Sequence, residues 1–238
     1  MQNAYVRRQQ DLRRDLLHNV SHNLRTPLTS LQGYLETLLR KSEELSAAEL
    51  RQYLEVAVRQ SRRAGRLTQG LIDLAKLDAQ ETPPKFERFC LQELMQDVVL
   101  KFTQAANERQ IYILFEFQPT IPAVEADIGM IELLLSHLLD NAIRYSPPAG
   151  LVRVMLDSNS EQVQVLIWNS GAGISESLLS GLFDRDSQLR YSLGHDQIGL
   201  GLLIAKRIAQ IHASTIEVAS HSASGTTFQF NLRAAGSG

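Results

Sequence analysis

Apolar residues fall at Leu12, Leu16, Val20, Leu24, Leu28, Leu31, Leu35 and Leu38, in steps of three and four. That spacing predicts one amphipathic helix. A polar break at 41–45 follows. Ser46 and Glu49 then form a capping box, the sign of a new helix start. A second helix is predicted through Leu50, Leu54, Ala57, Val58, Leu67, Leu71, Leu74 and Leu77. Two long helices with a short connection make an antiparallel hairpin. One hairpin cannot bury two apolar stripes by itself, so a dimeric four-helix bundle, and hence a homodimer, is expected.

The segment 82–85, Thr-Pro-Pro-Lys, reads as a linker, because Pro83 and Pro84 cannot continue a helix. The pattern changes after it. Helices are predicted over 91–107, 128–144 and 198–211. Strands are predicted over 111–117, 151–156, 162–168, 215–219 and 226–232. Helices and mostly antiparallel strands in mixed order predict an α+β sandwich. The expected division is a helical hairpin over 1–81, the linker, and a second domain over 86–238.

Composition narrows the class. The chain has 238 residues, 44% of them hydrophobic, 21% charged, with a net charge of -2. So near-neutral a balance offers nothing for nucleic-acid binding. The single cysteine, Cys90, excludes an internal disulfide and is expected to be a buried, inert thiol. No apolar run reaches the ~18–20 residues of a membrane-spanning helix. The fragment is therefore expected in the cytoplasm without membrane contact of its own, with membrane attachment of a longer parent protein left open. The charged start, lacking a cap or turn signal, reads as a helix already in progress, so an N-terminal sensor region is expected to precede it.

Chemistry concentrates around His22. Pro27 lies one turn later, where it removes the hydrogen bond to the Asn23 carbonyl at a cost of ~3 kcal/mol. His22 falls off the main stripe and is expected to be partly exposed. A neutral imidazole has a lone pair able to accept a phosphoryl group. On residues alone, a surface histidine on a kinked helix fits equally well.

The run Ser21-His22-Asn23-Leu24-Arg25-Thr26-Pro27-Leu28 resembles the H box of the sensor histidine kinases. The resemblance implies that His22 is the phosphoacceptor. It implies that Thr26 helps place water in a reverse, phosphatase reaction. Asn23 stands where the family has an acid that takes the imidazole proton; general-base help is typically worth 10²–10⁴-fold.

Resemblance covers the second domain too, implying an ATP-binding fold of the GHKL (Bergerat) type. The run 138–146, Leu-Leu-Asp-Asn-Ala-Ile-Arg-Tyr-Ser, looks like the N box. Asn141 would give Mg²⁺ an oxygen ligand, Arg144 would face phosphates and Tyr145 the nucleotide rings. The family's earlier Asn is His137 here. The run Asn169-Ser170-Gly171-Ala172-Gly173 looks like the first glycine box, with Asn169 in place of the Asp that accepts from the adenine amino group. Gly199-Leu200-Gly201 opens a helix like the second glycine box, with Gln197 in place of an earlier glycine. Leu182-Phe183-Asp184-Arg185-Asp186 resembles the F box, 187–197 the lid over the nucleotide, and Gly225-Thr226-Thr227-Phe228 the closing strand.

These residues imply an ATP- and Mg²⁺-dependent kinase that phosphorylates His22 and passes the group to an aspartate of a response-regulator receiver domain. Asn23, His137, Asn169, Asp186 and Gln197 depart from the family pattern. They also fit a second reading, a degenerate dimeric signalling scaffold with weak or no ATP turnover.

Overall fold

A computed structural model describes residues 24–41, 44–79, 83–179, 182, 200–221 and 224–236. The chain forms two compact units, and between the described helices and the domain after them the division falls after Ala75.

The first unit is the helical hairpin. Helix α1 is described over 24–41, with the buried Pro27 inside it. Helix α2 spans Ala47–Ala79. The rings of Tyr34 and Tyr53 pack with centroids 5.6 Å apart. Tyr34 is seven residues before the end of α1 and Tyr53 six after the start of α2, so the helices run antiparallel. The capping box forms as its residues require. The Ser46 N–H donates to Glu49 Oε2 (2.9 Å), and the Glu49 N–H donates to Ser46 Oγ (3.3 Å). Leu38, Ala57, Ala64, Leu74 and Leu77 are buried. Leu28, Leu35, Leu39, Leu54, Val58 and Ile72 stay exposed. Leu54 and Val58 are one turn apart, and Ile72 lies two heptads beyond Val58, so these three share a face of α2.

The second unit is a sheet with helices. Strand β1 (Glu87–Phe89) pairs antiparallel with β3 (Val124–Ala126) in a small sheet. Helix α3 (Leu91–Glu108) leads into β2 (Tyr112–Phe117), and α4 (Ile128–Tyr145) into β4 (Leu151–Ser158) and β5 (Gln162–Asn169). A four-residue helix α5 (Glu176–Leu179) follows. Helix α6 (Leu200–Ile211), β6 (Glu217–His221) and β7 (Gly225–Arg233) complete it. The main sheet has the order β2-β4-β5-β7-β6. All its pairings are antiparallel except β2 with β4.

Strand alternation sets one face inward: Val152, Val154 and Leu156 of β4, Val163, Val165 and Ile167 of β5, Phe228, Phe230 and Leu232 of β7 are buried. Helix α4 lays Leu134, Leu135, Leu138, Leu139 and Ala142 toward this core and packs on β5. Asp127 caps α4, its Oδ1 accepting from the Met130 N–H (3.0 Å) while Oδ2 accepts from the Lys85 N–H (2.8 Å). Arg109 finishes the helix. Its Nη2 donates to the carbonyls of Arg144 and Ser146, each at 3.1 Å, placing a cation at a helix C-terminus. Gln110 and Ala213, at φ 58 and 52, turn the chain out of α3 and α6 in the left-handed region.

One expectation is corrected. Cys90 is exposed, because it is the residue before α3 and Leu91, with no exposed surface, takes the core position.

Two outcomes follow for stability. Hydrogen bonds from Ser46 hold the Glu49 carboxyl below its ordinary value of 4.5. A depressed carboxylate contributes stability above its unfolded pKa and loses it as pH falls through the folded value. Ser46→Ala therefore lowers the melting temperature of the hairpin at neutral pH, and the gap to the unaltered chain narrows on titration below about pH 4.5. Arg109→Met, removing two partly solvated bonds to carbonyls, lowers unfolding free energy by about 1 kcal/mol in urea titration.

Candidate nucleotide site

The predicted residues of the second unit gather where the N-box helix, the glycine loop and the β6–β7 turn converge. β5 delivers Asn169 at its last position, opposite Thr226 on β7 and Val152 on β4. Asn169 is 2% exposed and Thr226 6%. A buried amide must satisfy both its ends. The orientation that does so has Asn169 Nδ2 donating to the Thr226 carbonyl (3.3 Å) and Oδ1 accepting from the Gly171 N–H (3.1 Å).

Glycines make the convergence possible. A Cβ on Gly171 would lie 2.6 Å from the Tyr145 carbonyl, so the loop comes against the end of α4. A Cβ on Gly173 would lie 2.5 Å from the His221 carbonyl, and φ there is +82. A Cβ on Gly225 would lie 2.1 Å from the Asn169 carbonyl. Distances this short exclude any side chain at the three positions. Gly201, at the start of α6, meets the α4 residue His137, 3.0 Å from its Nδ1. The second glycine box thus approaches α4 one turn before Asn141.

Asn141 is half-buried on α4. Arg144, one turn on, forms an ion pair with Asp140. Tyr145 is 38% exposed. Ser146 is buried and donates back to the Ala142 carbonyl (2.9 Å), ending the helix. Ser170 Oγ accepts from the Leu151 N–H (2.8 Å), pinning the loop to the neighbouring strand. Leu200 opens α6 and is half-buried. Leu182, from the F-box run, is buried.

In the first unit, Thr26 is an exposed residue of α1. His22, Asn23 and Gly199 lie outside the described residues, as do Asp186, Gln197 and the run 187–197.

Two contributors escaped the sequence reading. Ser220, buried in β6, accepts from the Ile174 N–H (2.7 Å) and bonds Thr226 Oγ1 (2.8 Å). Its burial on the inward phase of a strand was the available signal, but the predicted strand stopped at residue 219. Arg109 supports α4 from a turn, where no periodicity marks it. Among the described residues, no three His, Cys, Asp or Glu gather to hold a metal ion. Nor is any helix among them long and apolar enough to cross a membrane.

Comparison with known proteins agrees with this arrangement. Residues 12–80 match the His Kinase A (phospho-acceptor) domain, and residues 126–236 match the histidine kinase-, DNA gyrase B-, and HSP90-like ATPase domain. The sensor protein SrrB of Staphylococcus aureus is 30% identical over 223 residues, covering 93% of this chain. The chain spans 38% of the length of that relative. The Acinetobacter baumannii histidine kinase AdeS shares the fold with a TM-score of 0.68 at 24% identity, over 90% of this chain and 98% of its own. Histidine kinase ThkA, in its complex with the response regulator protein TrrA, reaches 0.76 at 23% identity, over 96% of this chain and 64% of its own. With a phosphoacceptor domain followed by this ATPase domain, the chain belongs to the sensor histidine kinases and comprises their transmitter core.

Proposed function

We propose that this chain binds ATP in its second domain, transfers the γ-phosphoryl group to His22, and passes it on to an aspartate of a response-regulator receiver domain. Support comes from one observation above all: the N-box helix, both glycine boxes and the Asn169–Thr226 pair converge in space. The domain order, phosphoacceptor before ATPase, fits the same reading. So does the response regulator bound to ThkA in its solved complex.

In this reading the nucleotide contacts come from Asn141, Arg144, Tyr145, Asn169, Gly171, Gly173, Gly199, Leu200, Gly201 and Thr226. Mg²⁺ would arrive with the nucleotide. It takes most of its ligands from water and phosphate oxygens, so the single amide oxygen of Asn141 suffices and no protein cage is needed. That fits the lack of a metal cluster among the described residues. Its charge would neutralise the transferring phosphoryl group.

The residues do the rest. The Asp140–Arg144 pair holds the guanidinium beside Asn141 on the same helix. Asn169 and Thr226 shape the buried end of the pocket. His22 receives the phosphoryl group on a ring nitrogen. Asn23 can orient the ring but cannot take its proton, since an amide is no base at neutral pH. Thr26 would place a water for the reverse, phosphatase reaction.

The chain acts as a homodimer in this proposal. The hairpin leaves Leu28, Leu35, Leu39, Leu54, Val58 and Ile72 exposed, and a second copy would bury them in a four-helix bundle. The proposed division is a hairpin over 1–81, a linker over 82–85 and a catalytic domain over 86–238.

Incubation with γ-labelled ATP and Mg²⁺ labels the unaltered chain, and His22→Ala abolishes the label. Label surviving that change sinks the assignment of His22; no label together with no nucleotide binding by calorimetry sinks the kinase reading. Leu54→Glu combined with Val58→Glu converts a dimer to a monomer in sedimentation equilibrium. A dimer that persists rules out this face as the interface.

A further inference from the structure

The buried polar cluster behind the glycine loop holds more than a scaffold. Three partners surround Ser220 Oγ. The Ile174 N–H lies 2.7 Å away, the Gly225 carbonyl 3.1 Å, and Thr226 Oγ1 2.8 Å. Ser220 is 7% exposed and Thr226 6%, so water does not compete freely for these bonds.

Proton counting fixes the direction of each bond. The Ile174 N–H can only donate, so Ser220 Oγ accepts from it. The Gly225 carbonyl can only accept, so the single Ser220 proton goes there. The contact with Thr226 then has one solution. The Thr226 hydroxyl donates to Ser220, filling the second lone pair of Ser220 Oγ. The three bonds use every donor and acceptor that Ser220 owns. They also commit the only proton of the Thr226 hydroxyl, which is left with lone pairs alone for any other neighbour.

Asn169 does not make a comparable choice. Its bonds to Gly171 and Thr226 leave it one N–H and one lone pair, so it can serve a donor or an acceptor.

We infer that Ser220 sets the base selectivity of the nucleotide site, by holding the Thr226 hydroxyl as an acceptor that takes a 6-aminopurine and rejects a 6-oxopurine. This rests on the proposed reading that Thr226 faces the purine. A 6-amino group donates to the Thr226 lone pairs. A 6-oxo group puts an acceptor against an acceptor, and both lose a partner. Ser220 is thus a positioning residue that acts through Thr226.

Calorimetry with ATP and with inosine triphosphate, its 6-oxo analogue, tests this on the whole chain. The unaltered chain prefers ATP. Ser220→Ala releases the Thr226 proton, which can then turn toward a 6-oxo group, and the preference shrinks by about five- to tenfold. Removing the hydroxyl also strips partners from Ile174 and Gly225, so both affinities fall, but a purely structural role lowers them equally. The ratio separates the two. Ser220→Cys keeps the volume and weakens the bonds; it shrinks the preference in the same direction and serves if the alanine variant does not fold. An unchanged ratio in these variants, with ATP still bound by the unaltered chain, overturns the inference alone. If the unaltered chain binds neither nucleotide, the ATP reading falls and the inference falls with it.

Discussion

Three backbone segments meet at the end of β5 more closely than any Cβ permits. The Gly225 α-carbon faces the Asn169 carbonyl so tightly that a Cβ would sit 2.1 Å from it, and Gly173 and Gly171 press almost as hard on His221 and Tyr145. An alanine at any of the three would have to move backbone, not a flexible side chain. The antiparallel register of β5 with β7 depends on this turn, because Gly225 is the first residue of β7 and Thr226 pairs with Asn169. That register in turn places Val165 opposite Phe230 and Ile167 opposite Phe228 on the inner face. Slipping it by one residue would turn the apolar set outward. One steric constraint therefore ties the site to the core.

The polar and apolar parts of the domain support each other along α4. Its apolar stripe seats the helix on the sheet, and the burial of each leucine there stabilises by roughly 1.5–3 kcal/mol. Its ends are fixed by Asp127 at the start and Arg109 at the finish. A helix held at both ends presents Asn141, Arg144 and Tyr145 in fixed phase. His137 belongs to the same logic. Its ring lies against the α-carbon of Gly201, so the position that breaks the N-box pattern is also where α6 comes closest to α4.

Much of this was legible in the residues. Long periodic segments declared themselves. Helix α3 was expected over 91–107 and spans Leu91–Glu108, and α4 was expected to end one residue short of its observed Tyr145. The capping box at Ser46 and Glu49 formed as read. Other features left no such trace. Strands β1 and β3 have three residues each, too few for an alternation to show. Strand β6 starts two residues later than expected because Ala213 and Ser214 complete the turn out of α6, the Ser214 N–H donating to the Ala209 carbonyl (2.8 Å). Glycine boxes marked the loop, but not the serine that fastens it. Ser220 acts through contacts with residues 46 and 6 positions away, and only the fold reveals them.

Asn169 shows why a departure from a family pattern need not be a simple loss. The resemblance places an aspartate there, and on charge alone the amide looks like a weaker version of it. Its setting is different. The buried side chain meets a donor, the Gly171 N–H, and an acceptor, the Thr226 carbonyl. An ionised carboxylate accepts only, so it would face that carbonyl with repulsion and no bond. The amide serves both neighbours and removes the need to bury a charge, which costs several kcal/mol unless paired. No pairing cation is among the partners of Asn169. With the charge gone, discrimination at this end of the pocket passes to hydroxyl groups whose protons are fixed by their neighbours. The neutral amide at 169 and the saturated serine at 220 are two parts of one arrangement, built from hydrogen-bond direction in place of charge.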